Sequence, residues 1–234
     1  MQTEELGGLT VRWFQVEGDA DDAPTVVLMH GFGAPGTDLV PLGQAIQAPP
    51  GTRFVFPEAP LLLPPEIGGG VGRAWWMIDI VKLQVGLMTG QTRALMDEDP
   101  EGLPEARAKV VAMLDAFEAK HGLDRSRLVL GGFSQGSMLA TDVVLETELE
   151  LSSLVVMSGT FLAAKRWRPK LVARKGLPVL QSHGRDDPIL PYAIAEELRD
   201  AMTEARMDVS FIPFGGGHGI PPEVLEQLGR RLRG

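Results

Sequence analysis

A serine flanked by glycines is the most chemically suggestive feature of the chain. Gly132-Phe-Ser134-Gln-Gly136 follows the apolar run Arg127–Gly131 and precedes residues of helical composition. A serine between a strand and a helix is typical of a nucleophile elbow, a strained turn that lifts the hydroxyl above a sheet and leaves no room for a Cβ at the flanking glycines. The alternative is an ordinary turn in which Ser134 caps the helix. The motif alone leaves both interpretations open.

A base for this serine is expected near the C-terminus. In proteins with a nucleophile elbow the acid and then the histidine follow the serine along the chain. His218 is the one histidine of the four that follows a candidate acid, and it lies in a glycine-rich loop directly after the last apolar run. The alternative is a surface histidine in a flexible loop. We predict that His218 removes the Ser134 proton and later protonates the leaving group.

Two adjacent aspartates are candidates for the acid that orients this histidine. Asp186 and Asp187 follow the run Pro178–His183, and α/β proteins assemble their sites beyond the carboxyl ends of strands. Asp187 precedes a proline, which favours an extended backbone and fixes the direction of the carboxylate. We therefore predict Asp187 as the acid, with Asp186 as the alternative. His183 is expected to be a structural hydrogen-bonding residue.

An acyl-enzyme mechanism also needs backbone N–H groups that stabilise an oxyanion, each typically contributing about 3 kcal/mol. One is predicted at Gln135, directly after the nucleophile, and the other at Phe32 in the loop 30–36. The alternative for this loop is a plain glycine-rich turn between a strand and a helix. It is not a phosphate-binding loop, because no Gly-Lys-Ser/Thr follows it.

These residues need a scaffold that brings them to one edge of a sheet. Short, continuously apolar runs recur along the chain, each followed by helical composition, as in a mostly parallel sheet with helices on both faces. Leu9–Glu17 alternates instead, which predicts an antiparallel edge strand before an acidic turn at 19–22. A helix is predicted over Pro104–His121. The predicted parallel strands are Thr25–His30, Arg53–Pro57, Arg127–Gly131, Leu154–Ser158, Pro178–His183 and Val209–Pro213.

Composition predicts one soluble domain and excludes several functions. The 234 residues, 44% of them hydrophobic, suffice for a single domain over 1–234, in which 61–103 is interpreted as a small cap or lid. The absence of cysteine excludes thiol nucleophiles and thiolate metal sites. A net charge of −9 argues against a nucleic-acid partner, and the basic cluster Lys165–Lys175 is interpreted as a solvated helix face or loop.

The chain is not expected to insert stably into a membrane or to be secreted. No apolar run approaches the roughly 20 residues that span a bilayer. The first residues are acidic and no apolar stretch follows them, so a cytoplasmic location is expected. Homo-oligomerisation is left open.

Six short blocks, in chain order, resemble those of one known family. The blocks are His30–Gly33, Phe56–Pro60, Arg73–Trp76, Gly132–Ser137, His183–Pro188 with Pro191, and Gly217–Ile220. They resemble the phospholipase/carboxylesterase family, which includes acyl-protein thioesterases and small bacterial carboxylesterases. The chain departs from the family's pattern at Ser137, at Ala34–Pro35 and at Gly219, and these departures leave the substrate open.

The resemblance implies an α/β-hydrolase fold and cleavage of carboxylic esters or thioesters without a metal or cofactor. It implies a triad of Ser134, Asp187 and His218, with oxyanion amides at Phe32 and Gln135. These are the residues that the motifs indicate on their own.

An apolar groove for the acyl group is predicted beside the Pro/Gly-rich loop, formed by Trp75, Trp76, Met77 and Ile78 together with Leu61–Leu63. The alternative is a tryptophan pair in the core. Lys82–Gly102 is predicted to form a mobile lid over that groove.

The predicted function is a carboxylesterase that acts on a small-molecule ester, with acyl-thioesterase and lysophospholipase as alternatives. A noncatalytic ligand-binding module is the alternative from another class, because fold alone does not imply catalysis. The complete serine, acid and histidine set in the expected order favours the enzyme.

Overall fold

The computed structural model describes residues 1–18 and 22–234, so most of the predicted acidic turn at 19–22 lies outside the described residues. The strands are β1 (Gln2–Leu6), β2 (Leu9–Gln15), β3 (Thr25–Met29), β4 (Arg53–Pro57), β5 (Leu61–Leu62), β6 (Arg73–Ala74), β7 (Leu128–Phe133), β8 (Ser153–Met157), β9 (Pro178–Gly184) and β10 (Asp208–Phe214). The helices are α1 (Val40–Ala45), α2 (Pro65–Gly68), α3 (Ile80–Met88), α4 (Thr92–Met96), α5 (Leu103–His121), α6 (Gln135–Glu146), α7 (Ala164–Trp167), α8 (Tyr192–Glu204) and α9 (Pro222–Arg233). Two 3-10 segments cover Arg125–Arg127 and Arg168–Arg174.

One sheet organises the described part of the chain. Its eight strands lie in the order β1-β2-β4-β3-β7-β8-β9-β10. β2 is antiparallel to both β1 and β4, and the pairs from β4 to β10 are parallel. Every residue of the central strand β3 is buried, as its continuously apolar sequence predicts. The predicted mostly parallel sheet is confirmed.

Two apolar clusters cover the two faces of this sheet. Val27 and Met29 of β3 join the larger cluster, which includes buried residues of α5, α6 and α8. Val26 and Leu28 point to the opposite face and join the cluster that includes α1 and α9. Alternate residues of one strand therefore bury both faces, and helices on both faces are confirmed.

The prediction of an edge strand at Leu9–Glu17 is wrong in one respect. β2 pairs with β4 on one side and with β1 on the other, so β1 takes the edge. β1 was not predicted because Leu6 is its one buried residue and its other side chains are polar. Gly7 and Gly8, both at positive φ, make the two-residue turn that joins β1 to β2. This Gly-Gly pair is the sequence signal for the hairpin.

The segment 61–103 adds a β5–β6 hairpin outside the main sheet and the short helices α2 to α4. Met96 is buried in the larger core cluster, and Asp99 accepts hydrogen bonds of 2.8 and 2.9 Å from Arg166. These contacts attach the end of the segment to the sheet's helical layer. Its mobility as a lid stays a prediction.

The basic cluster Lys165–Lys175 is more than the predicted solvated face. Arg166 pairs with Asp142 and Glu146 as well as with Asp99, and Asp142 is fully buried. Arg174 donates to backbone carbonyls at the end of α6. Lys165, Arg168 and Lys175 keep exposed side chains, as predicted for a solvated face. The cluster therefore holds the C-terminal half of α6 in place, because the buried carboxylate of Asp142 requires charged partners.

Across residues 1–18 and 22–234, we find no helix with the length and apolar character that a membrane span requires.

Candidate active site

Ser134 lies in a strained turn between β7 and α6. Its backbone has φ 52° and ψ −119°, a conformation that costs a non-glycine residue roughly 1–3 kcal/mol. A Cβ on Gly132 would lie 2.4 Å from the Met29 carbonyl oxygen, and a Cβ on Gly136 would lie 2.0 Å from the same atom. Both glycines are therefore required by the close approach of β3. Within the described residues the Ser134 hydroxyl makes no capping bond to α6. The turn has the geometry of a nucleophile elbow rather than of a capped helix.

His218 contacts Asp187 and not its neighbour Asp186. The His218 Nδ1 and the Asp187 Oδ2 are 2.7 Å apart. The other carboxylate oxygen, Oδ1, accepts hydrogen bonds of 2.9 Å from the backbone N–H groups of Ile189 and Leu190. Both oxygens of this buried carboxylate are therefore engaged.

The same contacts decide the charge of Asp187. Burial raises its pKa, but hydrogen bonds from His183, His218 and two backbone N–H groups outweigh burial and hold the pKa well below its ordinary value. Asp187 is thus ionised at neutral pH. An ionised carboxylate accepts the Nδ1 proton of His218, which leaves Nε2 free to accept another proton.

His183 is a second histidine on the same carboxylate. It is fully buried, and its Nε2 lies 2.8 Å from the Leu190 carbonyl oxygen and 3.2 Å from the Asp187 Oδ2. The structural hydrogen bond that the sequence led us to expect is present, but the contact with Asp187 was not predicted. The signal for it was the four-residue spacing across the turn that ends β9.

Packing at the ends of the strands places the His218 ring against Phe133, the residue before the nucleophile. The ring of Phe133, which directly precedes Ser134, has its centroid 4.8 Å from that of the His218 ring. On the other side of His218, the Gly219 carbonyl accepts a 2.9 Å hydrogen bond from the Ser158 hydroxyl, just beyond β8. The loop after β10 therefore crosses the carboxyl ends of β9 and β8 toward β7.

The loop after β3 lies directly against Ser134. A Cβ on Gly31 would lie 3.3 Å from the Ser134 Cβ. The His30 ring fixes this loop: Nδ1 lies 2.9 Å from the Gly31 carbonyl oxygen, and Nε2 accepts a 3.1 Å hydrogen bond from the Ala59 N–H. Burial lowers the pKa of His30, so the ring is neutral. These contacts hold the segment that contains the Phe32 amide.

The second predicted amide belongs to Gln135, the first residue of α6. The first N–H groups of a helix have no acceptor within it, and the N-terminal end of a helix dipole favours negative charge. The Gln135 N–H therefore lies at the positive end of the α6 dipole, directly after Ser134, and its role as an oxyanion donor stays a prediction.

The side chain of Gln135 has a role that was not predicted. It is fully buried; its Oε1 accepts a 2.9 Å hydrogen bond from the Trp75 N–H, and its Nε2 donates a 2.8 Å bond to the Trp76 carbonyl. The Trp75 indole in turn donates a 3.0 Å bond to the His30 carbonyl. Gln135 and Trp75 thus connect the elbow to the loop after β3.

Of the residues predicted for the apolar groove, Trp76, Met77 and Ile78 line one apolar cavity, and the binding of an acyl group there stays a prediction. Trp75 and Trp76 are both buried in the larger core cluster, and the Trp75 indole donates a hydrogen bond to the His30 carbonyl. Leu63 is also buried, beneath the turn that ends α2 at Gly68. The apolar cavity, of about 70 Å³, lies between the 61–103 segment and the ends of the strands. Its lining comprises Trp76, Met77, Ile78, Leu95, Glu98, Pro100, Met138, Thr160, Leu162, Leu190, Pro191 and Ile194.

Among the described residues, histidine, aspartate and glutamate side chains do not group in threes or more in a way that could hold a metal ion.

The chain is similar to known proteins over nearly its whole length. The family model of the phospholipase/carboxylesterase family matches residues 13–233. Acyl-protein thioesterase 1 of Cryptococcus neoformans is 26% identical, over 87% of this chain and 89% of that protein. Acyl-protein thioesterase 1 of Eremothecium gossypii is 29% identical, over 86% of this chain and 83% of that protein.

Solved structures agree with this relationship. The crystal structure of esterase PE8 is 28% identical, covers 96% of this chain and 98% of its own, and superposes with a TM-score of 0.76. The Bacillus cereus carboxylesterase, 19% identical with a TM-score of 0.68 over 96% of this chain and 93% of its own, shares the fold. The α/β-hydrolase fold implied by the sequence is confirmed. The chain belongs to the phospholipase/carboxylesterase family.

Proposed function

We propose that this protein is a serine hydrolase that cleaves carboxylic esters through an acyl-enzyme. The observation that carries the proposal is the 2.7 Å contact between His218 and an ionised Asp187, beside an elbow that strains Ser134. The family relationship supports a hydrolase of the esterase or thioesterase type. A noncatalytic binding module would have no use for a strained serine next to an oriented histidine.

In the proposed mechanism Ser134 Oγ attacks the ester carbonyl carbon while His218 Nε2 takes the hydroxyl proton. The carbonyl oxygen becomes an oxyanion, which accepts hydrogen bonds from the backbone N–H groups of Phe32 and Gln135. His218 then gives its proton to the leaving alcohol, and the C–O bond to that alcohol breaks. Water, deprotonated by His218, then attacks the acyl carbon. The bond from that carbon to Ser134 Oγ breaks, and His218 returns the proton to Ser134 Oγ as the acid leaves. Asp187 stabilises the imidazolium that forms in each step.

We infer that the substrate carries an apolar acyl group. The cavity of about 70 Å³ is lined mainly by apolar side chains, among them Trp76 and Met138, and Met138 belongs to the helix that follows Ser134. An acyl chain in this cavity would be stabilised by burial of apolar surface. A small-molecule ester with an apolar acyl group is therefore the proposed substrate class, and the ester series below measures the preferred chain length.

A thioester is the second candidate substrate. Relatives that match most of this chain are acyl-protein thioesterases, and a thioester passes through the same oxyanion and acyl-enzyme. The kcat/KM ratio for an oxoester and a thioester of the same acyl group distinguishes the two. A lysophospholipase activity, the remaining alternative, predicts turnover of a single-chain phospholipid.

The experiment that tests the proposal measures hydrolysis of p-nitrophenyl esters from acetate to palmitate, together with labelling by a fluorophosphonate followed by mass spectrometry. Wild type is expected to turn over and to gain one label on Ser134. Ser134→Ala is expected to lose both, whereas the control Ser210→Ala, at a half-buried position on β10, keeps both. A folded wild type that neither turns over nor takes up the label contradicts the proposal.

A further inference from the structure

We propose that Glu58 is a positioning residue of the oxyanion site, acting through Arg73 on the loop that carries Phe32. This inference rests on the proposed function, in which the Phe32 amide binds the oxyanion. Glu58 directly follows β4, the strand next to the one from which that loop departs.

The carboxylate of Glu58 is fixed between two cations. Oε2 lies 2.7 Å from the Arg12 Nη1, and Oε1 lies 3.0 Å from the Arg73 Nε. The carboxylate is only 13% exposed, and the Glu58 backbone N–H donates a 2.8 Å bond to the Thr10 carbonyl of β2. Each oxygen therefore has its own guanidinium partner, and the backbone is anchored to the sheet.

Arg73 joins this carboxylate to the loop. Its carbonyl accepts a 2.9 Å hydrogen bond from the Gly33 N–H, and its own N–H donates a 3.0 Å bond to the Ala34 carbonyl. Both bonds are made by the two loop residues that directly follow Phe32. Glu58 also fills the space beneath the end of the loop, because a Cβ on Gly36 would lie 2.4 Å from the Glu58 Oε2.

The loop is thus held on both sides of Phe32. Before it, Gly31 is fixed by His30, whose ring accepts from the N–H of Ala59, the neighbour of Glu58. After it, Gly33 is fixed by Arg73. The direction of the Phe32 N–H depends on both supports, and Glu58 determines the second of them.

A change in the direction of the Phe32 N–H weakens binding of the transition state and not of the ground state. An oxyanion donor contributes only when negative charge develops on the carbonyl oxygen. A misplacement of 1 Å in a catalytic arrangement costs up to about 100-fold in rate. A partial displacement of the loop is therefore expected to lower kcat by roughly tenfold and to leave KM unchanged.

The test is Glu58→Gln, which replaces one carboxylate oxygen with an amide that donates and therefore faces a guanidinium donor. We expect kcat for p-nitrophenyl acetate to fall roughly tenfold at constant KM. We expect the affinity for a trifluoromethyl ketone to fall by the same factor, because Ser134 adds to its carbonyl carbon and leaves an oxyanion in the same place. A merely structural role would change stability without this matched loss.

The matched control is Glu4→Gln. Glu4 has a carboxylate that is 14% exposed and is likewise paired with two basic side chains, Lys120 and His121, but it lies on the edge strand β1. This variant is expected to lose stability comparably and to keep kcat. An unchanged kcat in Glu58→Gln, or an equal loss of kcat in Glu4→Gln, overturns the inference.

A double-mutant cycle tests the route through Arg73. Arg73→Met removes the guanidinium, so adding Glu58→Gln to it is expected to cause no further loss of kcat. Losses that multiply would show that Glu58 does not act through Arg73 and would overturn the inference. Should Glu58→Gln fail to fold, Arg73→Met alone must show the tenfold loss at constant KM. Failure of the proposed function is distinguishable, because wild type itself would then neither turn over nor be labelled.

Discussion

Replacing Asp187 by asparagine tests the proposed role of this carboxylate at the level of single atoms. The Asp187 Oδ1 accepts from two backbone N–H groups at 2.9 Å, so the amide oxygen of the asparagine must take that position. The NH2 group then replaces Oδ2 and faces the His218 Nδ1. His218 must accept at Nδ1 and therefore carries its proton on Nε2. This tautomer is unable to take the Ser134 proton.

The expected loss of kcat is large, because in the wrong tautomer His218 stays in place but no longer acts as a base. An aspartate-to-asparagine change of this kind lowers kcat by about 10⁴-fold, which corresponds to about 5 kcal/mol in the activation free energy. The NH2 group also faces the Nε2 of His183, a second donor, 3.2 Å from the replaced oxygen. We therefore expect the free energy of unfolding to fall as well, by about 1–3 kcal/mol.

The assay is kcat/KM for p-nitrophenyl acetate, measured with the free energy of unfolding in urea so that a folded but inactive variant is recognised. The control is Asp186→Asn, which alters the adjacent, exposed aspartate. Asp186→Asn is expected to stay within a factor of two or so of wild type, as is usual for surface substitutions. If Asp187→Asn kept more than a tenth of the activity, or if Asp186→Asn lost it, the assignment of Asp187 would be refuted.

Two further predictions concern the elbow and the dependence of stability on pH. Gly136→Ala is expected to lose activity and about 1–3 kcal/mol of unfolding free energy, because its Cβ would lie 2.0 Å from the Met29 carbonyl oxygen. The control is Gly215→Ala, whose Cβ meets no atom within 4 Å. Equal stability of the two variants in urea would contradict the reasoning. Because the pKa of Asp187 is lowered by folding, its contribution to stability is complete above the unfolded-state pKa of about 4 and is lost as the pH falls below it. The difference in unfolding free energy between wild type and Asp187→Asn should therefore shrink between roughly pH 5 and pH 3. A difference that stays constant in urea titrations at these pH values would show that folding does not lower the pKa of Asp187.

The sequence by itself determined the scaffold and the order of the chemical groups. Predicted runs of five or six residues coincide with β3, β4 and β7 to β10 within two residues at each end, because strands that are buried on both faces are apolar along their whole length. The need for glycine at 132 and 136 could also be predicted from the sequence, because the close approach of another backbone excludes every residue with a Cβ. His218 followed from chain order.

Only the tertiary structure decided which groups share a contact. Trp75 and Trp76 are adjacent and chemically alike, yet one bonds to His30 in the core and the other lines the cavity. The ties of Gln135 to residues 75 and 76 and of Glu58 to Arg12 and Arg73 join segments far apart in the chain. Such contacts leave no periodicity in the sequence, because they depend on how strands from distant segments align at one edge of the sheet.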